Sequence, residues 1–119
     1  MGARVLVVQG SEAIAYATCR ALHTVGLETT LALDGDTAVR LAVTDPPDAV
    51  LVDVTLAVLD GWYVLASLGA RDPRPPLVAY VAPSDAARAT RLGADAFVHD
   101  RLRMAAAVSR VVARAPALG

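Results

Sequence analysis

Short apolar runs alternate with stretches of helical spacing along the whole chain. The first run, Arg4 to Val8 (RVLVV), is β-branched and apolar on both faces, as a strand inside a parallel sheet must be. Ser11 stands where a helix cap belongs. After it Ile14, Ala17, Thr18, Ala21, Leu22 and Val25 recur at the spacing of one helix face, and Gly26 ends the helix. Thr29 to Leu33 reads as a second strand, closed by Asp34-Gly35. Asp36 to Val43 reads as a helix stopped by Asp45-Pro46-Pro47. Ala49 to Asp53 (AVLVD) is the most strand-like run and is expected at the centre of the sheet. Gly61 to Gly69 is a third helix, Arg71 to Pro76 a turn-rich link, and Leu77 to Val81 a fourth strand. Ser84-Asp85 opens a short helix ending at Gly93, Ala96 to His99 is a fifth strand, and an alanine-rich helix from Leu102 to Arg114 closes the chain.

Strands separated by helices predict an α/β fold. It is a (βα)5 unit with right-handed crossovers and a five-stranded parallel sheet covered on both faces. In such sheets, ligands bind just outside the carboxyl ends of the strands. The residues there are Gln9 and Gly10, Asp53, Val81 and Ala82, and Asp100.

The 119 residues suit one domain, 1–119, with 115–119 as a tail or the start of a linker. At 55% apolar the chain has enough to bury a core. A net charge of −1 leaves no electrostatic footprint for nucleic acid or a membrane surface. The run Val5 to Val8 is too short for a signal peptide or a membrane span. Cys19 is the single cysteine, placed on the outer face of the first helix beside Tyr16 and His23; a cytoplasmic setting is expected. No Gly-rich loop follows a strand and no Ser-His-Asp or metal-ligand pattern appears, so no enzyme is expected. All 11 basic residues are arginine, and lysine is absent.

Val50-Leu51-Val52-Asp53-Val54, followed by Leu59-Asp60-Gly61, carries a further signal, and so does Gly93-Ala94-Asp95-Ala96-Phe97. With Gly26, Asp34-Gly35 and Pro47-Asp48 in matching places, these segments resemble the receiver domain of two-component response regulators. The likeness runs from about residue 4 to residue 114. It implies a flavodoxin-like three-layer sandwich with strand order 2-1-3-4-5. It also implies that Asp53 is the equivalent of the phosphoacceptor and Phe97 that of the switch aromatic.

The resemblance breaks at the chemistry. Receivers hold Mg²⁺ with an acidic pair after the first strand and with the acceptor aspartate, and Mg²⁺ demands hard oxygen ligands. Here the pair falls on Gln9-Gly10. The hydroxyl residue ending the fourth strand falls on Val81. The lysine after the fifth falls on Asp100, with Arg101 for the usual proline. Phosphoryl transfer depends on electrostatic stabilisation, so the pocket reads as degenerate, with no cofactor or metal expected. The Ala82-Pro83-Ser84 link is about three residues shorter than the family pattern, which suggests a fixed loop.

The expectation is an atypical receiver in signal transduction or transcriptional regulation, independent of phosphorylation and acting through a protein partner or output domain. The alternative is a working phosphoacceptor in which Asp53, with Glu12 or Asp100, holds a rearranged Mg²⁺ site. Glu12 reads as a first-turn acid or as that ligand; Arg101 reads as a solvated residue or as a cation neutralising Asp53. Trp62 is expected to cover Asp53. Ser109-Arg110-Val111 resembles a segment that carries a dimer-forming arginine in some receivers. The acidic partners of that arginine fall on Ala96 and Ala106, which leaves a homodimer through the apolar 84–114 face, with Met104 and Val108, as an open expectation.

Overall fold

The structure, a computed structural model, describes residues 2–55 and 60–114. Leu59 of the Leu59-Asp60-Gly61 motif and the 115–119 tail lie outside them. The strands are β1 (Arg4–Val8), β2 (Glu28–Ala32), β3 (Ala49–Asp53), β4 (Leu77–Tyr80) and β5 (Ala96–Val98). They form one parallel sheet in the order β2-β1-β3-β4-β5, as expected. The helices are α1 (Glu12–His23), α2 (Gly35–Thr44), α3 (Gly61–Gly69), α4 (Ala86–Arg91) and α5 (Arg101–Arg114).

Alternation along each strand divides the core in two. Leu6, Val8, Val50, Val52 and Ala79 face α2, α3 and α4, where they meet Ala38, Val64, Leu65 and Ala89. Val5, Val7, Leu51 and Val78 face α1 and α5, where they meet Leu22, Met104, Val108 and Val111. Each of the larger side chains contributes about 1.5–3 kcal/mol by leaving water. The same alternation sets the site: Gln9 continues the Val5–Val7 series, Asp53 follows Leu51, and Tyr80 follows Val78. All three thus point to the α1–α5 side, at the carboxyl ends of adjacent strands.

Several boundaries move. β2 begins at Glu28 and ends at Ala32, leaving Leu33 exposed. β4 stops at Tyr80 and β5 at Val98, one residue before the ends expected. The helix expected from Ser84 starts as a 3-10 turn, Pro83–Asp85, with Pro83 at the first position, where its missing N–H costs nothing. The inner face of α1 is Ala15, Thr18 and Leu22; Ala17 is exposed, and Val25 lies beyond the helix. A reading weighted by side-chain size passes over Ala15, whereas the spacing Ser11, Ala15, Thr18, Leu22 follows the true stripe. Cys19 is corrected as well: it is half-buried and packs against the α1–α5 cluster.

Caps account for where the helices begin. Ser11 accepts from the N–H of Ile14, Asp34 from Thr37 and Asp60 from Tyr63. Gly61 follows Asp60 because α3 starts hard against the end of β3. A Cβ there would lie 2.7 Å from the Asp53 carbonyl oxygen and 2.8 Å from Val54 Cα.

Candidate functional site

Asp53 ends the central strand and is 4% exposed. A buried carboxylate needs its oxygens satisfied. Here Oδ1 accepts the backbone N–H of Thr55 at 2.8 Å and its hydroxyl at 2.6 Å. Oδ2 accepts the side-chain amide of Gln9 at 2.6 Å and a guanidinium N–H of Arg101 at 3.4 Å. A carboxylate offers about four lone-pair positions; the four donors fill them. The orientation of Gln9 is fixed by its other end, since Oε1 accepts the N–H of Ser11 at 3.1 Å, so the nitrogen must face Asp53. Arg101 lies over the Tyr80 ring, 4.6 Å from its centroid. Tyr80 stands opposite Asp53 in the β3–β4 register.

The other expected residues fall out differently. Asp100 turns away to cap α5: its Oδ1 accepts the N–H of Leu102 at 2.9 Å, and its Oδ2 lies 3.7 Å from Arg103 Nε. Its carboxylate is engaged there rather than in a shared site with Asp53. Glu12 is an exposed first-turn acid of α1. Val81 packs into the core on the α2–α4 side of the sheet. Gly10 follows β1 and brings no side chain. Trp62 packs against that same core and carries Arg88 on its ring at 4.0 Å, which ties α3 to α4. The side chain that reaches over Asp53 is instead Arg101. Phe97 is exposed on β5 and Arg110 is exposed on α5.

Thr55 and Tyr80 escape the sequence reading. Thr55 has a signal: an aspartate accepting the N–H two residues on makes an Asx turn. For Tyr80 the signal is strand alternation with Val78.

The residues present do not fit the Mg²⁺ that the receiver resemblance implies. Gln9 presents a donor to Asp53, Gly10 presents nothing, and both Asp53 oxygens are taken. The free space beside Asp53 is about 10 Å³, room for about one water rather than a hydrated ion. Among the described residues no three His, Cys, Asp or Glu side chains gather as a metal site. No described helix is long and apolar enough to cross a membrane.

Comparison with known proteins agrees with the fold. Residues 5–111 match the response regulator receiver domain family. The chain is similar to the transcriptional regulatory protein PrrA of Mycobacterium tuberculosis, 34% identical over 113 residues, which covers 92% of this chain and 48% of the relative. It is similar to the response regulator MprA of the same organism, 35% identical over 119 residues, covering 99% and 51%. The chain thus spans about half the length of the curated relatives it matches. A putative response regulator from Chloroflexus aurantiacus superposes with a TM-score of 0.83 at 20% identity, over 96% of this chain and 100% of that one, a likeness of fold. Receiver domains are signalling modules, not enzymes. With the sheet order, the Asp53 strand and these matches in agreement, the chain belongs to the response regulator receiver domain family of two-component signal transduction.

Proposed function

We propose that this receiver signals without phosphorylation, through protein contact, with Arg101 as the standing counter-ion of Asp53. The saturated carboxylate carries this reading. A phosphoryl group or a metal reaching Asp53 must first displace Gln9, Thr55 or Arg101. No lysine exists to compensate for that loss, and Asp100 serves α5. The readout is a protein partner or an output domain. The length of the relatives and the name of PrrA support an output segment and a role in transcription. A cytoplasmic setting and no direct nucleic-acid contact by this domain go with its net charge of −1.

A second reading, Asp53 as a working phosphoacceptor, is favoured by the comparisons. Family membership and the named relatives back it better than they back the first reading, and the aspartate is retained. It requires Arg101 and Gln9 to give way and Glu12 to swing in, or Asp100 to leave the Leu102 N–H. The two readings separate by mass spectrometry after incubation with acetyl phosphate and Mg²⁺, and by amide NMR with beryllofluoride. No mass gain and no local shift are expected. A phosphoryl adduct that disappears in Asp53→Asn would establish the second reading and sink the first.

A further inference from the structure

Two depressions of about 480 and 290 Å³ adjoin in the cleft between α5 and β5, an edge strand of the sheet. They share Phe97, Ala107 and Arg110. Arg103 lines the first and Arg114 the second. Positions 103, 110 and 114 fall on one flank of a helix with 3.6 residues per turn, which sets the three arginines in a row along α5. The ring beside them, Phe97, is 46% exposed. The acid that lines the cleft, Asp100, is engaged with the Leu102 N–H and with Arg103. Met104 and Val108, expected to carry a homodimer on this face, are buried in the core instead. The face therefore offers an arginine row around one ring. Two copies meeting through it about a two-fold axis would bring like charges together.

The opposite charge stands elsewhere on the same chain. Up to residue 83 the sequence has five arginines against nine acids, and after it six arginines against three acids. Where α2 and α3 begin, Asp34, Asp36 and Asp60 are exposed beside exposed Leu33 and Tyr63. The Tyr63 ring lies 3.3 Å from where a Gly35 Cβ would stand, which joins the two helix starts into one corner. α2 and α3 pack on one side of the sheet and α5 on the other, so corner and cleft cannot meet within one molecule. Between molecules they are opposite in charge, and each brings one aromatic ring. We infer that the β5–α5 cleft of one copy binds the α2–α3 corner of a second copy, head to tail. Such a contact is heterologous: it leaves a free cleft on one copy and a free corner on the other, so further copies can add. The contact stands apart from the Asp53 reading, because neither patch includes Asp53, Gln9 or Arg101.

Sedimentation velocity of the 119-residue chain is the test. In about 20 mM salt the average mass should rise with protein concentration up to about 1 mM, and it should fall back in about 0.5 M salt. Arg110→Glu and Asp36→Arg, both at exposed positions, should each weaken the association about ten-fold or more. Mixed in equal amounts the two variants should associate again, because opposite charges then face each other at every contact between unlike copies. Arg20→Glu and Glu28→Arg, exposed but on neither patch, should leave the association unchanged. A chain that stays monomeric at about 1 mM overturns the inference. So do control variants as disruptive as Arg110→Glu, and mixed variants that keep their circular dichroism yet stay apart. Stronger association in Arg110→Glu would mark a symmetric dimer through the cleft and overturn it as well.

Discussion

Because Asp53 is nearly buried and Arg101 is its one charged partner among the described residues, local stability turns on Arg101. Breaking a fully buried ion pair costs about 3–5 kcal/mol. Arg101 is 42% exposed and water replaces part of it, which brings the expected loss in Arg101→Ala to about 1–2 kcal/mol. Arg103 is an internal control. It is 82% exposed and lies 3.7 Å from Asp100, so Arg103→Ala should cost no more than about 0.5 kcal/mol. Urea unfolding measures both, and equal losses would remove the counter-ion role. In an Asp53→Asn background the effect of Arg101→Ala should shrink, because no buried charge is then left alone. The sequence is legible here wherever a residue changes chemical type at a strand end, as Gln9, Gly10, Val81 and Asp100 do. It is not legible for the direction of Arg101, whose long side chain is steered by the Tyr80 ring from another strand. Nor does residue type alone show that Asp100 turns to cap α5; that depends on the helix starting one residue earlier than its apolar spacing suggests.

Between elements, the joints carry the charge and the close approaches. Asp95, just before β5, accepts the N–H of Leu77 at the start of β4 and pairs with Arg74, both at 2.8 Å. Burial works to raise the Asp95 carboxyl, but the Arg74 and Leu77 hydrogen bonds outweigh it and hold it below its ordinary value of 3.8. A lowered carboxylate contributes its stability above that ordinary value and loses it as pH falls through the lower folded value. Asp95→Asn keeps an acceptor for Leu77 and removes the charge. The stability gap between the two proteins should therefore hold from neutral pH down to about pH 5 and close below about pH 4. A gap that widens in acid would contradict this assignment. The other joint is Gly69, the last residue of α3, where a Cβ would collide with the Leu92 carbonyl. Gly69→Ala should cost about 1–3 kcal/mol, read by denaturant unfolding, with no change at the Asp53 site. The elements themselves are legible because each apolar run has one period and a cap or breaker at its end. Their edges move by a residue because the last strand residue is decided by its neighbour strand, as when Val81 gives its N–H to Val98 after β4 has ended.

Over the whole molecule, a ligand that binds only the folded state stabilises the entire cooperative unit, which makes the global transition a test of the local donor count. A site holding Mg²⁺ with a dissociation constant of about 1 mM would add about 1.4 kcal/mol at about 10 mM ion. For a domain of this size that is a rise of about 6 °C in the thermal midpoint. With the Asp53 oxygens filled and no second acid bonded to it among the described residues, the expected change is below about 1 °C against NaCl of matched ionic strength. Gln9→Asp with Gly10→Asp supplies the comparison. Gly10 lies outside the left-handed backbone region, so an aspartate meets no backbone strain there. That variant gathers three carboxylates, which should lower its midpoint without metal through like-charge repulsion. It should then recover several degrees, about 6 °C, when Mg²⁺ is added. A rise of that size in the unmodified chain would mean that Gln9 and Arg101 yield to the ion, and would move the weight of evidence to the phosphoacceptor reading. A flat response in the unmodified chain beside a steep one in the double variant would trace the missing metal site to the two residues after β1.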